Sequence, residues 1–152
     1  MHRLVASFFG SGLVLRRIRG SDAGSGTVGG LVALPISLWL GSRFGWQAQL
    51  IGAAILTFAS VWSARPLATE VGDAGWIVID EAAGVFVATI GLLGWPAFFG
   101  FVVFRIADIT KRPFPGVHQA DRLPGAVGIT LDDTVAGLYG LAVGHLINAA
   151  VF

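Results

Sequence analysis

The sequence has no cysteine, one methionine, one tyrosine and little charge. Without cysteine there are no disulfides, no thiolate zinc sites and no cysteine nucleophile, and the redox compartment stays unread. Charged residues make up 12% of the 152 residues, about half the usual share. A soluble domain of this size has a large surface for its volume and needs more charge to cover it. The formal net charge is +1 with no basic block, which argues against nucleic acid as a partner. HExxH and an ordered Ser–His–Asp set are both missing. There is no internal repeat and no low-complexity tail.

What is present is apolar and small. Hydrophobic residues reach 55%, with five Trp, eleven Phe and 22 Gly. Aromatics suit lipid-facing and interfacial positions, and glycines suit close helix approach in lipid. The expected fold is all-α: a small polytopic membrane helix bundle with about four to five spanning or re-entrant helices and a polar site at its cytoplasmic edge. Residues 1–23 read as an interfacial helix with a basic loop, and residues 24–152 as one membrane domain.

Residues 4–15 are a short apolar run followed by Arg16, Arg17 and Arg19. A secretory signal carries its positive charge before the apolar stretch, so a helix lying on the membrane surface is expected. The Gly/Ser-rich residues 19–30 read as a loop. Spans are expected over 28–45, interrupted by Pro35, and over 46–62, stopped by Arg65 and Pro66. A polar loop with Glu70 and Asp73 leads to a third span over 76–93. A fourth, over 96–109, is short for a bilayer needing about 20 residues. Residues 111–131, with three prolines and three glycines, read as a loop before a last span from Asp133 or Thr134.

With the Arg16–Arg19 cluster placed in the cytoplasm, this threading leaves only Arg43 outside, which matches the positive-inside pattern. It also puts all nine acidic residues on the cytoplasmic side. Asp80 and Glu81 open the third span and Asp132 and Asp133 open the fifth. Acids there cap free N–H groups and suit the helix dipole, so each pair has an ordinary structural role available. Asp108 ends a helix, where the dipole disfavours an anion, and Arg105, Lys111 or Arg112 could pair with it. Asp121 beside Arg122 reads as a solvated pair. Among the histidines, His118 reads as surface and His145 as bonded to a neighbouring helix.

Gathered at one edge, the carboxylates suggest more. A charge at mid-bilayer costs roughly 2.5–3.5 kcal/mol on insertion scales. Hard oxygen donors in such number suit Mg²⁺, and Lys111, Arg112 and Arg122 could hold a phosphate. The loop GSGTVGG before the first span could bind an anion through backbone N–H groups, although it lacks the Lys-Ser/Thr ending of a Walker A loop. A different class, a small ion transporter or its accessory subunit, would also use membrane acids. It predicts carboxylates at mid-bilayer rather than at one face.

The segments GSGTVGGLVALP, IVIDEAAG, FRIADITKRPFP, ADR and LPGAVGITLDDTVAGLYG follow one another in an order that resembles the phosphatidylglycerophosphatase A family. The sequence departs from that family's pattern at Ser25, Gly30, Arg112 and Ala126. The resemblance implies a Mg²⁺-dependent phosphatase of the bacterial inner membrane. Its substrate would be the phospholipid phosphatidylglycerophosphate, and its product phosphatidylglycerol. It implies Asp80, Glu81, Asp132 and Asp133 as metal ligands, and the same four with Asp108 as catalytic residues. Thr27, Lys111, Asp121 and Arg122 would bind substrate. Neither the residues nor the resemblance assigns an oligomeric state.

Overall fold

The computed structural model describes residues 1–70 and 74–151. Among them there are helices and turns and no strand. In chain order the helices are α1 (His2–Ala6), α2 (Val14–Arg19), α3 (Ser25–Phe44), α4 (Trp46–Glu70), α5 (Ile79–Ala88), α6 (Gly94–Thr110), α7 (Val117–Asp121) and α8 (Gly125–Val151). A single 3₁₀ turn, Ser11–Leu13, joins α1 to α2. Asp73, expected in a solvated loop with Glu70, lies outside the described residues, and Glu70 is exposed.

Three helices, α3, α4 and α8, are long and apolar enough to cross a membrane. Most of each faces outward and is apolar, as a lipid-facing surface requires. The chain is a membrane protein.

The third segment differs from expectation. Instead of a span over 76–93, α5 has 10 residues. That is about 15 Å at 1.5 Å per residue, half of a hydrocarbon core. Every residue of α5 except Glu81 is buried, and α3, α4, α6 and α8 all pack on it. The helix ends where Thr89 turns its hydroxyl to the Val85 carbonyl at 2.9 Å, a bond that competes with the backbone ladder. The chain then reverses through Gly91 and Gly94, both in the left-handed region (φ 71° and 59°) that L side chains avoid.

Three boundaries also moved, each because packing overrode a local signal. The expected loop GSGTVGG is helix from Ser25, since its glycines let α3 approach its neighbours: Gly29 faces Val78, and Gly30 faces Phe101. Pro66 does not stop α4, which runs on to Glu70, and Pro35 lies inside α3. Membrane helices tolerate such prolines because neighbours compensate the freed backbone groups. The last helix starts at Gly125, after Pro124 and a left-handed Gly125 (φ 69°), and not at Asp133. The expected loop of 111–131 also contains the short helix α7.

Hydroxyls and one amide tie the long helices together inside. Ser60 and Thr130 share a hydrogen bond of 2.7 Å between α4 and α8. Ser37 and Thr89 share another of 2.7 Å, and Gln49 Oε1 accepts from the Gly91 N–H at 2.9 Å. His145 bonds the Ile90 carbonyl at 3.0 Å, in the turn after α5 and not on a neighbouring helix as expected.

Candidate active site

The site forms where the first turns of α3 and α5 meet the last turns of α6 and the early part of α8. α5 carries Asp80 and Glu81 in its first turn, as expected. The Asp80 Oδ1 accepts from the Glu81 N–H at 3.0 Å. Asp132 and Asp133 sit well inside α8 rather than at its start, so they cap no helix. Both are buried, at 5% and 3% exposure. α5 and α8 come close enough to bring Asp133 to the α5 acids because their contact is built from small residues: a Cβ on Gly84 would stand 2.8 Å from the Asp133 carbonyl oxygen.

Asp80, Glu81 and Asp133 each offer one carboxylate oxygen, and the three oxygens lie within 4.8 Å of one another. The Glu81 Oε2 and Asp133 Oδ1 are buried and have no hydrogen-bond partner among the described residues. Buried polar atoms are rarely left so, because each forfeits its hydration. The lone pairs of these two oxygens are free for a cation.

Asp132, adjacent in sequence, faces elsewhere. Lys111 Nζ bridges Asp132 Oδ2 at 2.6 Å and Asp121 Oδ1 at 2.5 Å. Burial alone would lower the Lys111 pKa, but the hydrogen bonds it donates to Asp121 and Asp132 outweigh it and hold the ammonium above its ordinary value. Asp121 therefore pairs with Lys111, not with Arg122 as the sequence reading supposed. Arg122 is exposed at the end of α7 and makes no ion pair among the described residues. The Lys111 bridge fastens α7 and the end of α6 to α8.

Asp108 pairs with Arg105 at 2.6 Å, one turn apart on α6, one of the partners expected for it. Asp108 also neighbours Asp133. The Arg105 Nη2 donates to Thr27 Oγ1 at 3.3 Å, which brings α3 into the site. Its Nε is buried without a partner among the described residues. Gly26, one residue before Thr27, lies directly against the Glu81 carboxylate, and a Cβ there would also stand 3.2 Å from Arg105 Nη2. Sequence reading treated Arg105 as a partner for Asp108 alone and gave Gly26 no distinct part. The FRxxD spacing held the signal for Arg105. Nothing local marked Gly26, because its role depends on a side chain 55 positions away.

The acids, Arg105 and Thr27 thus form one polar cluster at the end of the bundle opposite Arg43. The phosphatidylglycerophosphatase A family model matches residues 4–148. The chain belongs to that family. Family membership makes it a phosphatase, and every site residue named above falls inside the matched range. A Bacteroides thetaiotaomicron protein provisionally named a phosphatidylinositol-3-phosphatase is 34% identical, covering 90% of this chain and 86% of that protein. Phosphatidylglycerophosphatase A of Haemophilus influenzae is 33% identical over 92% of this chain and 84% of its own. Phosphatidylglycerophosphatase A of Escherichia coli is 34% identical over 95% of this chain and 82% of its own. No solved structure matches the chain.

Proposed function

We propose that this phosphatase hydrolyses the terminal phosphomonoester of phosphatidylglycerophosphate, giving phosphatidylglycerol and phosphate, in a Mg²⁺-dependent reaction at the cytoplasmic face of the bacterial inner membrane. The observation that carries the reading is the trio Asp80, Glu81 and Asp133, two of them buried and Glu81 half-buried, with two orphaned oxygens, beside the Arg105 guanidinium. The names of the Haemophilus and Escherichia relatives support the substrate.

The donor set fits Mg²⁺: all oxygen, anionic and close together, without the imidazole or thiolate that softer ions prefer. Asp80, Glu81 and Asp133 would hold the ion. When bound, Mg²⁺ supplies positive charge against the phosphate oxygens and offsets the charge of the transition state. Asp132 is assigned a positioning role through Lys111 instead of a ligand role.

The chain's own groups account for orientation. Arg105 presents a fork of N–H donors suited to phosphate oxygens, and its Nε has no other partner among the described residues. Thr27 fixes the guanidinium from one side and Asp108 from the other. Asp108 neighbours the trio without belonging to it, and so is placed to take the proton of the attacking water. In the overall step, the water oxygen bonds to phosphorus while its proton passes to Asp108, the phosphorus–ester oxygen bond breaks, and the departing glycerol oxygen takes a proton from solvent to become a hydroxyl as Asp108 returns its own to solvent. The site's position at the end of the bundle lets the lipid tails stay in the bilayer.

The deciding experiment is phosphate release from phosphatidylglycerophosphate in detergent, with Mg²⁺ or with chelator, for wild type and Asp133→Asn. The reading expects release that needs Mg²⁺ and is lost in the variant. No release from well-folded wild type would overturn the substrate, and a phosphatidylinositol phosphate would be the next one to assay, given the name of the Bacteroides relative.

A further inference from the structure

A groove of about 790 Å³ runs along α3 and α4 beneath the N-terminal segment. Val32, Ile36 and Ile55 line its sides, Phe86 its floor, and Arg17 its rim. The floor fixes its relation to the acids. On α5, Gly84 faces Phe104 and the backbone of Asp133. Phe86 lies two residues further, roughly 200° around the helix, and packs against Gly52 of α4. The groove is therefore on the far side of α5 from the carboxylates, and a lipid held at the acids does not fill it.

Two features define the occupant. Val32, Ile36 and Ile55 belong to helices long and apolar enough to cross the membrane, so the groove is offered to acyl chains and not to water. The rim offers a cation: Arg16 pairs with Asp22 at 3.8 Å, whereas Arg17 has no acidic partner among the described residues. A guanidinium beside an acyl-sized groove at the membrane surface complements a lipid phosphate, and neighbouring basic residues favour anionic lipid. The segment crossing the groove is specially formed. Phe8 and Phe9 both adopt left-handed backbone (φ 46° and 57°), which is rare for bulky residues. Ser11 Oγ donates to the Phe8 carbonyl at 3.0 Å, and the Gly10 N–H donates to Ser7 Oγ at 3.1 Å, which hold the turn. The result buries Phe8 in the core and leaves Phe9 exposed along the groove.

We propose that this groove binds one anionic phospholipid, separate from the molecule being hydrolysed, with an acyl chain along Val32, Ile36 and Ile55 and its phosphate at Arg17. The assignment does not depend on which phosphate ester the acids cleave.

The test uses the full chain in nanodiscs carrying phosphatidylglycerol or phosphatidylcholine with a photoreactive diazirine on the acyl chain, and mass spectrometry of the labelled peptides. Label should concentrate on residues 32–36 and 52–56, several-fold more with phosphatidylglycerol than with phosphatidylcholine. Arg17→Gln should abolish that head-group preference. Ile55→Trp should fill the groove and move label away, at an exposed position where folding tolerates the change. Thermal melting of both variants controls for folding. Equal labelling by the two lipids would overturn the proposal. So would label spread evenly to outward-facing Phe58 and Leu146, or label unmoved by Ile55→Trp.

Discussion

Gly26 lies so close to Glu81 that a β-carbon on the glycine would occupy the place of the carboxylate oxygen Oε1. The first turn of α3 thereby sets where one arm of the acid trio can stand. The clashing atom is the end of a flexible side chain, so Gly26→Ala should shift Glu81 and leave the fold intact. Misplacing a reacting group by about 1 Å can cost on the order of 100-fold. Gly26→Ala should therefore lower kcat by roughly that factor with little change in Tm, checked by phosphate release and melting in detergent. Full activity would mean that Glu81 need not stay in place.

Metal binding should appear in stability as well as rate. Three carboxylates held this close repel one another without a cation, so chelator should destabilise wild type relative to saturating Mg²⁺. At 100 times the dissociation constant the gain is about 2.7 kcal/mol. Asp133→Asn removes one charge from the trio. Its Tm in chelator should equal or exceed that of wild type, and Mg²⁺ should raise it far less. Equal Mg²⁺ shifts in the two proteins would remove Asp133 from the ligand set.

Arg105 and Asp108 are both largely buried, with side chains 12% and 14% exposed. Removing one partner of a buried pair leaves an uncompensated charge, at a cost on the order of 3 kcal/mol. Arg105→Ala should therefore destabilise by about that much and abolish activity. The double variant Arg105→Ala/Asp108→Ala should recover much of the stability and none of the activity. A double-mutant cycle by chemical denaturation, with phosphate release on each variant, separates the two roles.

Lys111 has its pKa raised by Asp121 and Asp132 despite burial. A raised folded-state value means that the stabilisation is complete below the unfolded value, about 10.4. It is lost only as pH rises through the still higher folded value. Lys111→Met should lower Tm, and the deficit should persist undiminished as pH rises to about 9, well below that unfolded value. A deficit that shrank towards pH 9 would show that Lys111 loses its proton earlier than its two carboxylate partners imply.

Much of the site could be read in the sequence because polar residues are scarce. In a chain with nine acidic residues, Asp80, Glu81, Asp108, Asp132 and Asp133 stood out by type, and the cost of charge in the bilayer put them at one edge. The Arg105–Asp108 pair was legible too, since a three-residue step on a helix is local. That His145 bonds another segment was legible from its place inside an apolar span, but not that the segment is the turn after α5.

The sequence alone determined that this is an all-helical membrane protein with its carboxylates at one end. Composition, apolar run length and motif order require nothing beyond the chain itself. Only tertiary structure decided which carboxylates meet. Asp132 and Asp133 are neighbours in sequence, yet adjacent positions on a helix point about 100° apart; one turns to Lys111 and the other to the α5 acids. Tertiary structure also decided that GSGTVGG is helix and that α5 stops at half a membrane's thickness. Glycine's low helix propensity and a long apolar run predict the opposite, but both are weak local terms. Close packing of small residues against α5 outweighs them, and that packing is visible only when all the helices are in place.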